Sequence, residues 1–94
     1  LMAARRKTPV EVIQAAKLGQ TLCIKWGDAF SVDDWQDIDE IPDDIEPLEC
    51  LTVGTLLAVS KTVVSVAHTV TDTGQFCGML NIPLGWVQRA EIIR

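Results

Sequence analysis

The 94-residue sequence contains no tyrosine, two phenylalanines, three tryptophans, three cysteines and a single histidine. One histidine, His68, limits any His–His or His–Cys ligand cluster within one chain. Cys23, Cys50 and Cys77 are odd in number and stand 27 residues apart, so neither a disulfide framework nor a C-x-x-C metal or redox site is suggested. They read as small hydrophobes in strands, and because their flanking residues do not recur, the equal spacing does not mark a repeat. Glycine-rich phosphate loops are absent. No apolar run approaches the roughly 18 to 20 residues that a membrane helix needs. The basic cluster Arg5, Arg6 and Lys7 is not followed by an apolar stretch and a small-residue cleavage site, so it does not read as a secretory signal. A cytoplasmic location is the default expectation, and Met2, after Leu1, is the expected natural start.

Residues 28–49 contain no base, although the chain carries eight. Ten of the thirteen acids lie there: Asp28, Asp33, Asp34, Asp37, Asp39, Glu40, Asp43, Asp44, Glu46 and Glu49. Residues 1–17 hold four of the bases and only Glu11, so the net charge of −5 conceals a segregation. An acidic body repels phosphate, which argues against direct nucleic-acid binding by anything but the N-terminal arm. Hydrophobic residues make up 48% of the chain, enough for one globular core and against wholesale disorder. At this length one domain is expected, small enough to gain from an oligomer or a ligand.

Thr8, Pro9 and Glu11 form a helix start, with Thr8 as N-cap, Pro9 where a missing N–H costs nothing, and Glu11 completing a capping box. The helix is expected to run to Leu18, with Gly19 as its left-handed C-terminal residue. Residues 1–19 therefore read as a basic arm and helix, and residues 20–94 as a small β domain. Residues 21–26 alternate Leu22, Ile24 and Trp26 against Cys23 and Lys25, a half-buried strand ended by Gly27. In the acidic segment, Ser31 with Asp34 predicts one helical turn containing Trp35. Ile38, Ile41, Ile45 and Leu48 then recur among Pro42 and Pro47, which forbid a continuous helix. The segment reads as a long acidic loop pinned to the body by Trp35 and some of those isoleucines. Loops of this length often carry function.

Residues 51–80 read as a three-strand antiparallel meander. A turn at Ser60 and Lys61 pairs Val59 with Thr62, Leu57 with Val64, Thr55 with Val66 and Val53 with His68. A second turn at Asp72, Thr73 and Gly74 pairs Phe76 with Val70 and Leu80 with Val66. In this register Val53, Leu57, Val64, Val66 and Leu80 share one face, and a one-residue slip would reverse it. Gly54 and Gly78 inside strands suggest bends. Residues 81–85 break the strand, and a fifth strand follows to Ile93. Five strands with bends are the makings of a small closed or nearly closed barrel.

That order of a short strand, long acidic loop, three-strand meander, proline-containing turn and last strand resembles an SH3-type barrel. Ile82-Pro83-Leu84-Gly85-Trp86-Val87 is similar to the Ile-Pro-x-x-aromatic-Val turn by which SH3 domains enter their last strand. The aromatic residues with which SH3 domains line a proline-rich ligand groove have no counterparts, since no Ala-Leu-Tyr-Asp-Tyr stretch is present. The resemblance therefore implies the fold rather than the groove. A second resemblance is to small uncharacterised proteins encoded by phages and prophages. It rests on the Lys25-Trp26 strand, the Ser31-Val32-Asp33-Asp34-Trp35 segment, Cys50, Val53, Gly54 and Leu56, and the terminal Ile-Pro turn. It implies a phage accessory protein in the cytoplasm of a bacterial host, and brings no catalytic residues.

His68 faces Val53 and Gly78 in the expected register and reads as a core or rim histidine. Cys77 falls beside Thr69 on the other face, so no Cys–His pair forms and no enzyme is expected. The acidic segment admits three readings: a solvated loop, a calcium site, or a surface for a basic protein partner, including imitation of the phosphate charge of DNA. Residues 37–43 lack the glycine and the terminal glutamate of an EF-hand loop, and no metal or cofactor is expected. The candidate binding residues are Asp33, Asp34, Trp35, Asp37, Asp39, Glu40, Asp43, Asp44 and Trp86. The expected function is a non-enzymatic binding or assembly module working through protein contacts, with a basic protein or a second copy as partner. The alternative is an acidic inhibitor of a host nucleic-acid-binding protein.

Overall fold

The computed structural model describes residues 6–93. Leu1, Met2 and Arg5 of the N-terminal arm, and Arg94, lie outside the described residues. Helix α1 (Pro9–Ala15) is followed by strands β1 (Thr21–Asp28), β2 (Leu48–Val59), β3 (Val63–Val70), β4 (Phe76–Pro83) and β5 (Val87–Ile93). Two short 3-10 turns lie at Ile38–Glu40 and Leu84–Trp86. All five strands join one antiparallel sheet in the order β4-β3-β2-β1-β5. The fold is mainly β, but the sheet is open, with β4 and β5 as its edges.

The helix begins as its sequence dictates. Glu11 N–H donates to Thr8 Oγ1 at 3.2 Å and Thr8 N–H donates to Glu11 Oε1 at 3.3 Å, the reciprocal bonds of a capping box. It ends at Ala15, three residues short of Leu18, because the chain is needed elsewhere. Gly19 N–H donates to the Leu56 carbonyl at 2.9 Å, and Leu56 N–H donates to the Gln20 carbonyl at 2.8 Å. These bonds draw residues 19 and 20 alongside β2, and Leu18 is left exposed. Ile13 is the one fully buried helical side chain and carries α1 into the core.

The core joins Ile13 to Leu22, Ile24, Trp26, Leu56, Val64, Val66, Ile82 and Leu84. The second hairpin has the expected register, with Val70 opposite Phe76, Thr69 opposite Cys77 and Val66 opposite Leu80. Its turn closes through Thr71 N–H to the Gln75 carbonyl at 2.7 Å, with Gly74 at φ +86°. The first hairpin does not. Thr55 pairs with Ala67, Leu56 with Val66 and Val59 with Val64, and the register shifts between Leu56 and Ala58. Ser60 makes a wider turn than expected, its Oγ accepting from Thr62 N–H at 3.2 Å and Val63 N–H at 3.0 Å. The consequence is the reversal that a slip imposes: Gly54 and Leu56 face inward, while Leu51 and Val53 face solvent.

β2 also changes partner along its length. Its residues 48–55 pair with β1, and its residues 55–59 pair with β3. Gly54, at the changeover, lies close against the backbone of Ala67. Two further boundaries differ from expectation. β1 continues through the buried Gly27 to Asp28, and β4 continues past Leu80 to Pro83 before the 3-10 turn.

The radius of gyration is 16.9 Å, against about 12 Å for a compact domain of this length. No helix among the described residues is long and apolar enough to cross a membrane.

Candidate functional site

Trp26 leaves β1 toward the core and is held by its Nε1–H, which donates to Thr52 Oγ1 on β2 at 3.0 Å. Trp86, delivered by the 3-10 turn before β5, stacks on it with ring centroids 6.4 Å apart and planes inclined by 13°. An offset aromatic stack of this kind fixes the orientation of the outer ring. One indole is thus anchored by a hydrogen bond and the other by the first indole, leaving Trp86 44% exposed.

Above this pair rises the loop that connects Asp28 to Leu48. It encloses an open basin of about 1340 Å³ between itself and residues 85–88. Phe30, Val32, Trp35, Ile38, Ile41 and Ile45 line it. All six remain largely exposed, Trp35 fully so. The expected pinning by Trp35 and the isoleucines does not occur. Pro42 and Pro47 deny the loop regular backbone pairing, and its carboxylates keep it solvated, so its apolar residues find no cover in the chain. The single helical turn is at Ile38–Glu40 rather than at Trp35, and Ser31 caps nothing.

The structure brings together six of the nine candidate residues. Asp33, Asp34, Trp35, Asp37, Asp44 and Trp86 line the basin, whereas Asp39, Glu40 and Asp43 are exposed without lining it. Phe30, Val32 and Gln88 also line it and were not foreseen. Phe30 and Val32 were legible as further apolar residues of the loop beside Trp35 and the isoleucines; Gln88 lies in β5, next to the β1 end from which the loop departs. Among the described residues, the ion pair of Lys25 with Glu49 at 3.6 Å is the one formed by the 28–49 segment. Both partners are exposed, so it contributes little. Asp28, Asp33, Asp34, Asp37, Asp44 and Glu46 set carboxylates among the apolar walls, and among the described residues none of them is in an ion pair.

Elsewhere, His68 is exposed rather than in the core, with Nδ1 3.0 Å from Thr69 Oγ1. It lies beyond the point where β3 leaves β2, which is why no core forms over it. All three cysteines are in strands and free, with Cys77 exposed and the others half-buried. Among the described residues, no three His, Cys, Asp or Glu side chains converge to hold a metal ion. Comparison of the chain with protein-family models, with curated proteins and with solved structures finds no match.

Proposed function

We propose that this chain is a non-enzymatic binding or assembly module of phage or prophage origin, working through protein contacts in the cytoplasm of the bacterial host. The observation that carries this reading is the apolar basin, with carboxylates among its walls, over the Trp26–Trp86 stack. Exposed apolar patches rimmed by polar groups mark interaction sites, and clustered carboxylates steer basic partners. The partner so described is an amphipathic, basic protein segment whose apolar side meets Phe30, Trp35 and Trp86. The SH3-like architecture belongs to the same reading. A β2 shared between a β5-β1-β2 half and a β2-β3-β4 half, changing partner along its length, supports a small, partly open barrel.

Charge reversal of Asp37, Asp39, Asp43 and Asp44 together is expected to abolish capture of partners from a host lysate, and Trp35→Ala with Trp86→Ala to weaken it. A quadruple variant that retains every partner of the wild type would sink the reading. Exposure of all nine acids between positions 33 and 49 favours a second reading, an acidic inhibitor occupying the nucleic-acid face of a host protein. Under that reading DNA or RNA displaces the captured partner; under the first it does not.

A further inference from the structure

The β3–β4 hairpin outgrows its support. β4 pairs with β3 from Val70 opposite Phe76 to Val63 opposite Pro83, but β2 accompanies β3 only as far as Ala67. The outer part of the hairpin is therefore a two-stranded ribbon, an arrangement of marginal stability by itself. Its Phe76 and Val70 are 53% and 42% exposed, and at its base, where β2 still flanks β3, Met79 and Leu80 are 48% and 38% exposed. Among the described residues no strand pairs with the outer side of β4, whose backbone donors and acceptors run along it with one interruption, Gly78 at φ +71°.

Natural proteins protect such edges with charge or with proline. The edge strand β5 follows that rule, carrying Arg89 and Glu91. β4 carries no charge, and its one proline, Pro83, is its last residue. The charge-free stretch in fact extends from Thr73 to Gln88, between Asp72 and Arg89. One edge is guarded against pairing and the other is left able to pair.

We propose that β4 is the dimerisation edge of this protein, pairing antiparallel with β4 of a second copy about a two-fold axis near Met79. This deepens the reading of the chain as a protein-contact module by naming the second copy as a partner and a surface separate from the basin. An identical strand is the natural occupant because the contact is self-complementary. An axis normal to the sheet keeps like faces together, so Met79 opposes itself and Gly78 opposes Leu80 of the partner copy. Charge points the same way. The acidic loop springs from β1 and β2, with β3 between them and β4, so two chains of net charge −5 can meet at this edge without opposing their carboxylates. Backbone hydrogen bonds supply affinity in such strand addition, and the flanking side chains supply register.

Sedimentation velocity at tens of micromolar is expected to give twice the 10.3 kDa chain mass for the wild type. Phe76→Lys with Met79→Lys should yield the single-chain mass with an unchanged circular dichroism spectrum. The charge-reversed loop variant should remain dimeric, which separates this contact from the basin. A second measurement covers any misfolding of the lysine variant. In a background with all three cysteines replaced by serine, Met79→Cys should oxidise to a covalent dimer. Self-opposed residues of antiparallel strands lie about 4.5 to 5.5 Å apart at Cα, within disulfide range. A monomeric wild type, a folded lysine variant that stays dimeric, or a Met79→Cys chain that forms no cross-link would each overturn the proposal. None of these outcomes would touch capture of partners by the acidic basin.

Discussion

A methyl group at position 54 would stand 2.9 Å from the carbonyl oxygen of Ala67 and 3.1 Å from Cβ of Val66. The first contact is with backbone, so relief requires β2 to move away from β3. Gly54→Ala is therefore expected to destabilise the fold by about 1 to 3 kcal/mol, the cost of overpacking, read as a lower midpoint in urea. Thr52 makes a different demand. Its hydroxyl is the acceptor for the indole of Trp26, and Thr52→Val keeps the shape while leaving that N–H without a partner. A loss of about 1 to 3 kcal/mol is expected, with a weakened near-ultraviolet tryptophan signal as the Trp26–Trp86 stack loosens. These two residues were unequally legible. A glycine inside an apolar alternation suggests a bend or a close backbone approach, and the close approach to Ala67 is what the structure shows at Gly54. The role of Thr52 depends on Trp26 lying 26 residues away in sequence, and nothing local announces it.

Elements specified by neighbouring residues were readable, and those specified from a distance were not. The capping box at Thr8 and the turn at Gly74 each involve a few consecutive side chains, and both formed as their sequences require. The register of β2 on β3 shifts between Leu56 and Ala58, beside a residue whose backbone is bonded to residues 19 and 20 on the other side of the strand. Apolar residues on both faces of β2 gave no pattern with which to detect that shift. The helix shows the same division, since its start is local and its end is imposed by the sheet. Thr8→Ala should cost about 0.5 to 2 kcal/mol through the lost cap, with faster amide exchange confined to α1. Ile13→Ala removes the side chain that ties α1 to the core and should cost about 2 to 5 kcal/mol, lowering the midpoint of the whole fold. Equal global effects from the two substitutions would contradict the separation of helix start from core docking.

At the scale of the whole molecule, the sheet and the loop answer to different constraints. Burial is the usual fate of tryptophan and isoleucine, so the sequence of the loop predicts anchors. The chain instead spends its core on Trp26 and leaves Trp35 in solvent, so the basin could be anticipated as acidic but not as open. The separation has a direct test. Asp28 pairs with Leu48 across β1 and β2, so the two strand ends that flank the loop are already adjacent, and a tight turn could join them. Replacing residues 29–47 with a short Asn-Gly-type connection should leave the far-ultraviolet spectrum of the sheet and the β4-mediated dimer intact. Shortening the closed loop from 19 residues to about four should stabilise the fold by about 1 kcal/mol through loop-closure entropy. Capture of basic partners should disappear in the same variant. If the shortened chain instead failed to fold, the loop would be part of the structural core, and its exposed isoleucines and Trp35 would require an explanation other than partner binding.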